Sequence, residues 1–209
     1  MKGLLIKEKY TMWHNCALFL LVPLFFFAAM LITLFGRHST IVGFPVGMVF
    51  MFMGIVPVNT SNNDIQSKWH MGCMTLPYSR RQIVSAKYIS SLILVTGTAV
   101  VWLIFMGICS LLGANVTAGT VTSLLCSGFG LGLMPAVAFL PFNFKWYDTV
   151  GGKRIFLGGL TGGLVGFSNI FFLNHIPGIM GSVVFMSVMV IAFFVSWFIS
   201  IRIFERKDV

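Results

Sequence analysis

Long runs of apolar residues, separated by shorter polar stretches, dominate the chain. A helix rises about 1.5 Å per residue, so about 20 apolar residues in a row are needed to cross the hydrocarbon core of a membrane. Six runs approach this length, of which the fifth is short and rich in glycine. The pattern therefore predicts six transmembrane helices, at residues 16–35, 40–58, 89–112, 121–142, 155–173 and 179–203.

Composition supports the same assignment. Hydrophobic residues make up 57% of the chain and charged residues only 9%. A soluble domain carries about 25% charged residues, so this chain lacks the polar surface that keeps a domain in water. We therefore expect an all-α integral membrane protein, with residues 1–209 forming a single transmembrane domain.

The distribution of Lys and Arg predicts the orientation of these helices. Thirteen of the fourteen basic residues fall in the N-terminal segment, in residues 59–88, in residues 143–154 and in the C-terminal tail. The alternate connections, 36–39, 113–120 and 174–178, carry only Arg37. Because basic residues mark the cytoplasmic side, we expect both termini in the cytoplasm and a multi-pass protein of the cytoplasmic membrane. The net charge of +9 follows from this topology and requires no nucleic-acid partner.

Residues 1–15 have the pattern of an interfacial helix. At 100° per residue, a broad apolar face brings together Leu5, Ile6, Tyr10, Met12 and Trp13. Lys2 and Lys9 interrupt this face and would have to extend toward lipid phosphates. The alternative is a positively charged flank with no defined helix. Either way, the lipid bilayer is the expected partner of this segment.

The longest polar interval, residues 62–90, contains four basic residues and one acid. Asn62, Asn63 or Asp64 is expected to cap a short helix. In this helix Ile65 and Trp69 would share a face, and Asp64 and Lys68 would form a surface pair.

The sequence also predicts where this short helix ends. Leu76-Pro77 would end it, and the S-x-x-Q sequence from Ser79 to Gln82 is a capping box that would open the third transmembrane helix. A stiff cytoplasmic coupling segment at residues 62–78 is thus predicted, with a merely solvated connection as the alternative.

Parts of this interval resemble a known family. The residues that carry the resemblance are Ser67-Lys68-Trp69, the run from Thr75 to Val84, and Ala86-Lys87-Tyr88, together with the opening residues 1–7. They are similar to the short permeases of type-2 ABC exporters. His70 departs from the pattern, because an acidic residue is more usual there.

The resemblance implies how such a protein works. The permease would pair with a second copy or with a paralogous permease, and two cytoplasmic ATPase subunits would dock beneath the pair. The implied contacts with the ATPase come from Asp64, Ile65, Lys68, Trp69, Leu76, Pro77, Ser79 and Arg80. The chain has no G-x-x-x-x-G-K-[ST] phosphate loop. ATP and Mg²⁺ are therefore expected on the partner ATPase, with no cofactor and no catalytic residue on this chain.

Two features of the predicted fifth helix invite a functional interpretation. Gly158, Gly162 and Gly166 repeat every four residues, which permits close helix packing, either as a dimer seam or as an internal contact. Ser168 and Asn169 are its most polar pair, and packing hydrogen bonds are favoured for them over a substrate path. The predicted spans contain no Asp, Glu or Lys, which weighs against a secondary transporter. The His and Cys spacing does not suit a metal site.

The cargo is the least constrained expectation. By resemblance, small permeases of this kind export amphipathic antimicrobial or cytolytic peptides, and we favour this cargo. The alternatives are a drug or lantibiotic immunity exporter, or a membrane scaffold or sensor subunit that transports nothing. Dependence on an ATPase partner would separate the transporters from the scaffold.

Overall fold

Six α-helices form the part of the chain that the computed structural model describes, which comprises residues 2–15, 25, 28, 43–67, 69, 78–112, 117–146, 152–176 and 179–206. No strand occurs in these ranges. The helices are α1 (Lys2–Asn15), α2 (Gly43–Gln66), α3 (Arg80–Leu111), α4 (Ala118–Lys145), α5 (Gly152–His175) and α6 (Ile179–Glu205). The all-α prediction is confirmed for these residues.

Three of the helices, α3, α4 and α6, are long and apolar enough to cross a membrane. The longest, α3, has 32 residues and therefore extends about 48 Å, well beyond the hydrocarbon core of about 30 Å. These helices contain the predicted spans 89–112, 121–142 and 179–203, apart from residue 112, the C-cap of α3. The apolar part of α5 is shorter, from Phe156 to Ser168. The predicted first span, 16–35, lies outside the described residues except for Phe25 and Ala28. The six-span count and the orientation remain predictions.

Helix α4 is the centre of the packing, because it contacts α2, α3, α5 and α6. It approaches α2 closely at one point: a Cβ added at Gly54 would lie 2.0 Å from the carbonyl oxygen of Gly132. Glycine at both positions lets the two backbones approach. Gly128 packs in the same way against Phe50 of α2, and Gly130 against Phe185 of α6. This close approach was not predicted, although Gly128 and Gly132 are spaced four residues apart in the sequence.

Buried aromatic residues hold α3 against α6. Tyr88 is completely buried, and its hydroxyl lies 2.8 Å from Ser196 Oγ and 2.7 Å from Ser200 Oγ. Its ring stacks on Trp197, whose Nε1 donates to Ser85 Oγ at 3.1 Å. The polar groups of this contact are therefore satisfied between the two helices, as buried polar groups must be.

The glycine repeat of α5 divides between two faces. A Cβ at Gly158 would lie 2.3 Å from Phe139, and one at Gly162 would lie 3.2 Å from Met134, so both glycines pack against α4. Gly159 and Gly166 meet nothing within 4 Å. The internal alternative therefore holds for Gly158 and Gly162, whereas Gly166 takes no part in that contact.

The predicted start of a new helix at Asn62, Asn63 or Asp64 is wrong. Helix α2 continues to Gln66, past the predicted end of the second span at residue 58. Its polar last turns are buried rather than solvated: Thr60, Ser61 and Asp64 have less than 5% of their surface exposed. Because α1 and α3 provide partners for Thr60 and Asp64, the helix need not end where the sequence becomes polar.

Candidate coupling site

Four charged side chains meet where α1, α2 and α3 join. Helix α1 brings Lys7 and Glu8, α2 brings Asp64, and α3 brings Lys87. Glu8, Asp64 and Lys87 are buried, with 2%, 4% and 3% of their surface exposed, and Lys7 is partly buried. We refer to these four residues as the ion cluster.

Every charge in the ion cluster has two partners of opposite sign. Lys87 Nζ donates to Glu8 Oε2 at 2.8 Å and to Asp64 Oδ2 at 2.6 Å. Lys7 Nζ donates to Asp64 Oδ1 at 2.5 Å and to Glu8 Oε1 at 3.2 Å. The Thr60 hydroxyl lies 3.2 Å from Glu8 Oε2 and 3.3 Å from Lys87 Nζ. Two acids and two bases give the ion cluster a net charge of zero.

The ion cluster makes the three helices depend on one another. A charge left in a buried site without a partner costs several kcal/mol, at about 3–5 kcal/mol when one member of a buried pair is removed. The four charges therefore remain compatible with burial only while α1, α2 and α3 stay together. Leu4 and Ile65, which belong to the same apolar core, flank the ion cluster on α1 and α2.

Helix α1 also contacts both ends of the chain that joins α2 to α3, residues 67–79, which we name the α2–α3 connection. At the first end, Lys7 Nζ lies 4.0 Å from the centre of the Trp69 ring, a cation–π contact. At the second end, a Cβ added at Gly3 would lie 2.6 Å from the Tyr78 hydroxyl, so the α1 backbone rests on Tyr78. Movement at either end of the α2–α3 connection would therefore reach α1.

The predicted capping box at the start of α3 is confirmed. Ser79 Oγ accepts a hydrogen bond from Gln82 N at 3.3 Å, and Gln82 Oε1 accepts one from Ser79 N at 3.2 Å. Arg80 donates to the backbone carbonyl oxygens of Phe204 and Glu205 at the end of α6, and Arg81 donates to the Glu205 carboxylate. These donors satisfy carbonyl groups that a helix end leaves unpaired. The start of α3 is thus held by its own capping box and by hydrogen bonds to the end of α6.

The structure places the predicted coupling residues in different environments. Trp69 and Ser79 lie near the two ends of the α2–α3 connection, and Arg80 is the first residue of α3. Their contact with an ATPase stays a prediction. Ile65 is buried, so its side chain faces the interior of the chain instead of a partner. The Asp64 carboxylate, predicted at the surface, is buried and bonded to Lys7 and Lys87. The remaining coupling predictions lie outside the described residues: Lys68, Leu76 and Pro77.

The predicted polar pair in α5 is only partly described. The Ser168 hydroxyl donates to the carbonyl oxygen of Leu164 at 2.9 Å, a bond within its own helix. This bond joins Ser168 to no other helix, so the choice between a packing contact and a substrate path stays a prediction. The side chain of Asn169 lies outside the description. Within the described ranges, no group of three His, Cys, Asp or Glu side chains could hold a metal ion.

Sequence reasoning missed Glu8, which links α1 to the other two helices. A usable signal was present, since the chain has only five acidic residues. Two of them, Glu8 and Asp64, lie in or near the stretches that carry the family resemblance. Acids that are this rare in a basic membrane protein are candidates for pairing with buried Lys residues, and Lys87 lies within another of those stretches.

The helices and the buried ion cluster describe a helical membrane protein with a charged junction beside one polar connection. The chain belongs to the ABC-2 transporter family: the family model described as "ABC-2 family transporter protein" matches residues 3–205. It is therefore a membrane permease of the type-2 ABC exporters, as the resemblance indicated. The comparisons with curated proteins and with solved structures gave no match.

Proposed function

We propose that this permease works with a separate cytoplasmic ATPase, which docks at the α2–α3 connection and drives export. Two ATPase subunits would bind ATP and Mg²⁺ beneath a pair of permeases, formed by two copies of this chain or by this chain and a paralogue. Closure of the ATPases would push the α2–α3 connection, and α1 and the ion cluster would carry that push into α2 and α3. Both termini would lie in the cytoplasm, with six membrane spans.

One observation carries this proposal: α1 contacts the two ends of the α2–α3 connection and is itself held by the ion cluster. Lys7 takes part in both contacts, since its amine bonds to Asp64 and lies over the Trp69 ring. A displaced connection would have to separate buried opposite charges unless α1, α2 and α3 moved as a unit. Because separation is costly, joint movement is the cheaper response, and this favours transmission into the membrane helices.

For the cargo, we propose amphipathic peptides of the antimicrobial or cytolytic kind. The exposed surfaces of α3 and α6 are apolar, with Ile104, Ile108, Ile191 and Phe198 among the exposed residues. Such surfaces suit a cargo that moves along an apolar path, and the family resemblance points the same way.

Trp69→Ala tests the coupling role directly. A cation–π contact contributes about 1–2 kcal/mol when partly desolvated, which corresponds to about a tenfold change in an equilibrium. We expect Trp69→Ala, reconstituted with the ATPase in vesicles, to retain ATP hydrolysis while peptide export falls about tenfold. Trp69→Phe keeps an aromatic face for Lys7 and should retain more export.

Trp146 provides the matched control, because Lys145 Nζ lies 5.0 Å from its ring at the end of α4. Trp146→Ala removes a Lys–Trp contact without touching α1 and should leave the ratio of export to hydrolysis unchanged. Ile65→Ala would be a poor test, since truncating a buried side chain costs about 2–5 kcal/mol of stability. If Trp69→Ala lowered export and ATP hydrolysis in parallel, this result would contradict the coupling role of Trp69.

A further inference from the structure

An open groove lies between α1 and the helices that it crosses, on a different side of α1 from Lys7. It encloses about 520 Å³ and is lined by residues of α1, α2 and α3. Its wall is formed mainly by apolar side chains, among them Leu5, Trp13, Met53, Ile93 and Leu94. Ligand pockets in proteins measure about 300–1,000 Å³, so the groove is large enough for one extended molecule.

The surroundings of the groove are apolar as well. On α1, Ile6, Tyr10 and Trp13 are more than 65% exposed, and on α3 Ile93 is 59% exposed. In a membrane protein, exposed apolar side chains face lipid, and Trp and Tyr are concentrated at the level of the headgroups. The groove therefore opens toward acyl chains near the membrane surface.

One positive charge accompanies the groove. Lys9 lines it and is exposed. Glu8 also lines the groove, but its carboxylate is already bonded to Lys7 and Lys87. Among the residues that the structure describes, no acid pairs with Lys9. An apolar trough with an unneutralised Lys complements a molecule that has a hydrocarbon chain and a negatively charged head.

We propose that the groove is a binding site for one anionic membrane phospholipid, whose acyl chain lies between α1, Met53 and Ile93 and whose phosphate faces Lys9. The lipid would brace α1 on the face next to the ion cluster, so that the position of α1 depends on lipid as well as on charge pairing. This site is separate from the proposed ATPase contact. Lipid binding can be measured without the ATPase, and a negative result would leave the permease role untouched.

The test is native mass spectrometry of the purified full chain after exposure to vesicles of phosphatidylglycerol or phosphatidylcholine. A Lys near the surface of an anionic membrane contributes about a fivefold preference for the anionic lipid. We expect the wild type to retain phosphatidylglycerol with about this preference. Lys9→Gln should lose the preference but keep a bound phospholipid. Equal preference in the wild type and Lys9→Gln would contradict the assignment of the phosphate to Lys9.

Groove filling tests the acyl-chain position. Ile93→Trp places a larger side chain in the groove and should release the lipid. Ile104→Trp is the matched control, because Ile104 is also on α3 and has the same exposed fraction of 59%. Equal lipid retention by these two variants would overturn the site.

Photo-cross-linking keeps the proposal testable even if Ile93→Trp fails to fold. A photoreactive amino acid at position 93 should give an adduct with phospholipid after irradiation in phosphatidylglycerol vesicles. An adduct with residues 16–35 of the same chain, with a second copy or with a bound peptide would identify another occupant and overturn the proposal.

Discussion

At the residue scale, the ion cluster shows how a membrane protein can keep four charges in its interior. Lys87 is bonded to an acid on α1 and to another on α2, at 2.8 Å and 2.6 Å. The benefit of these bonds depends on the complete set, since each carboxylate accepts from both Lys7 and Lys87. Removing one member leaves the ion cluster with a net buried charge, whereas removing an opposite pair leaves the net charge at zero.

A double-mutant cycle of Asp64 and Lys87 tests this interdependence. Lys87→Met and Asp64→Asn should each lower the free energy of unfolding by about 3–5 kcal/mol, because each leaves a buried charge uncompensated. The double variant should be more stable than the sum predicts, by about 0.5–3 kcal/mol. The measurement is denaturant unfolding in detergent micelles. Lys145→Met, at an exposed lysine, should cost less than about 1 kcal/mol. Additive losses would show that the two charges do not interact.

The sequence identified Asp64 and Lys87 but placed both in an aqueous connection. The reason is physical: in an apolar chain, polar residues are ordinarily assigned to water unless a partner is known. One of the two acidic partners of Lys87 is Glu8, 79 residues away. No local pattern connects residues so far apart, so the burial of both required the fold.

At the element scale, the features that depend only on residues adjacent in the sequence were predictable. The capping box from Ser79 to Gln82 is formed as expected, because it involves only four consecutive residues and their backbone. The helical state of residues 2–15 was also predicted from local pattern. The end of α2 was not, because the residues that stabilise its last turns belong to α1 and α3. The glycines on the two faces of α5 recur at the same spacing in the sequence. Only the packing of the helix shows which of them contact α4.

Adjacent glycines in α5 provide a matched pair of substitutions. Gly158→Ala should lower the free energy of unfolding by about 1–3 kcal/mol, since the new Cβ would lie 2.3 Å from Phe139. Gly159→Ala meets no atom within 4 Å and should be neutral or slightly stabilising. Thermal unfolding of both variants in detergent checks this. Equal destabilisation would contradict the packing of α5 on α4.

The same pair also probes what covers the second face of α5. If Gly159→Ala leaves monomer stability unchanged but weakens self-association, a second permease contacts this face. Association is measured by size-exclusion chromatography with light scattering. A loss of association only in Gly158→Ala would place the dimer contact elsewhere.

At the scale of the whole molecule, the proposed orientation follows from the distribution of basic residues and has a direct chemical test. Ala118 and Lys145 lie at opposite ends of α4, and both are exposed. In a variant without the native cysteines, a cysteine at position 118 should react with an impermeant thiol reagent added outside the cell. A cysteine at position 145 should react only after the membrane is opened. The reverse pattern would overturn the orientation and, with it, the cytoplasmic position of the α2–α3 connection.

The central claim is that this permease transmits the work of a separate ATPase through the α2–α3 connection, α1 and the ion cluster. The most direct measurement is co-purification of the full chain with its proposed ATPase partner, followed by ATP hydrolysis with and without amphipathic peptides. We expect a stable complex with equal numbers of ATPase and permease subunits, whose ATP hydrolysis is stimulated by peptide. The absence of any complex, with both proteins folded and present in excess, would contradict it.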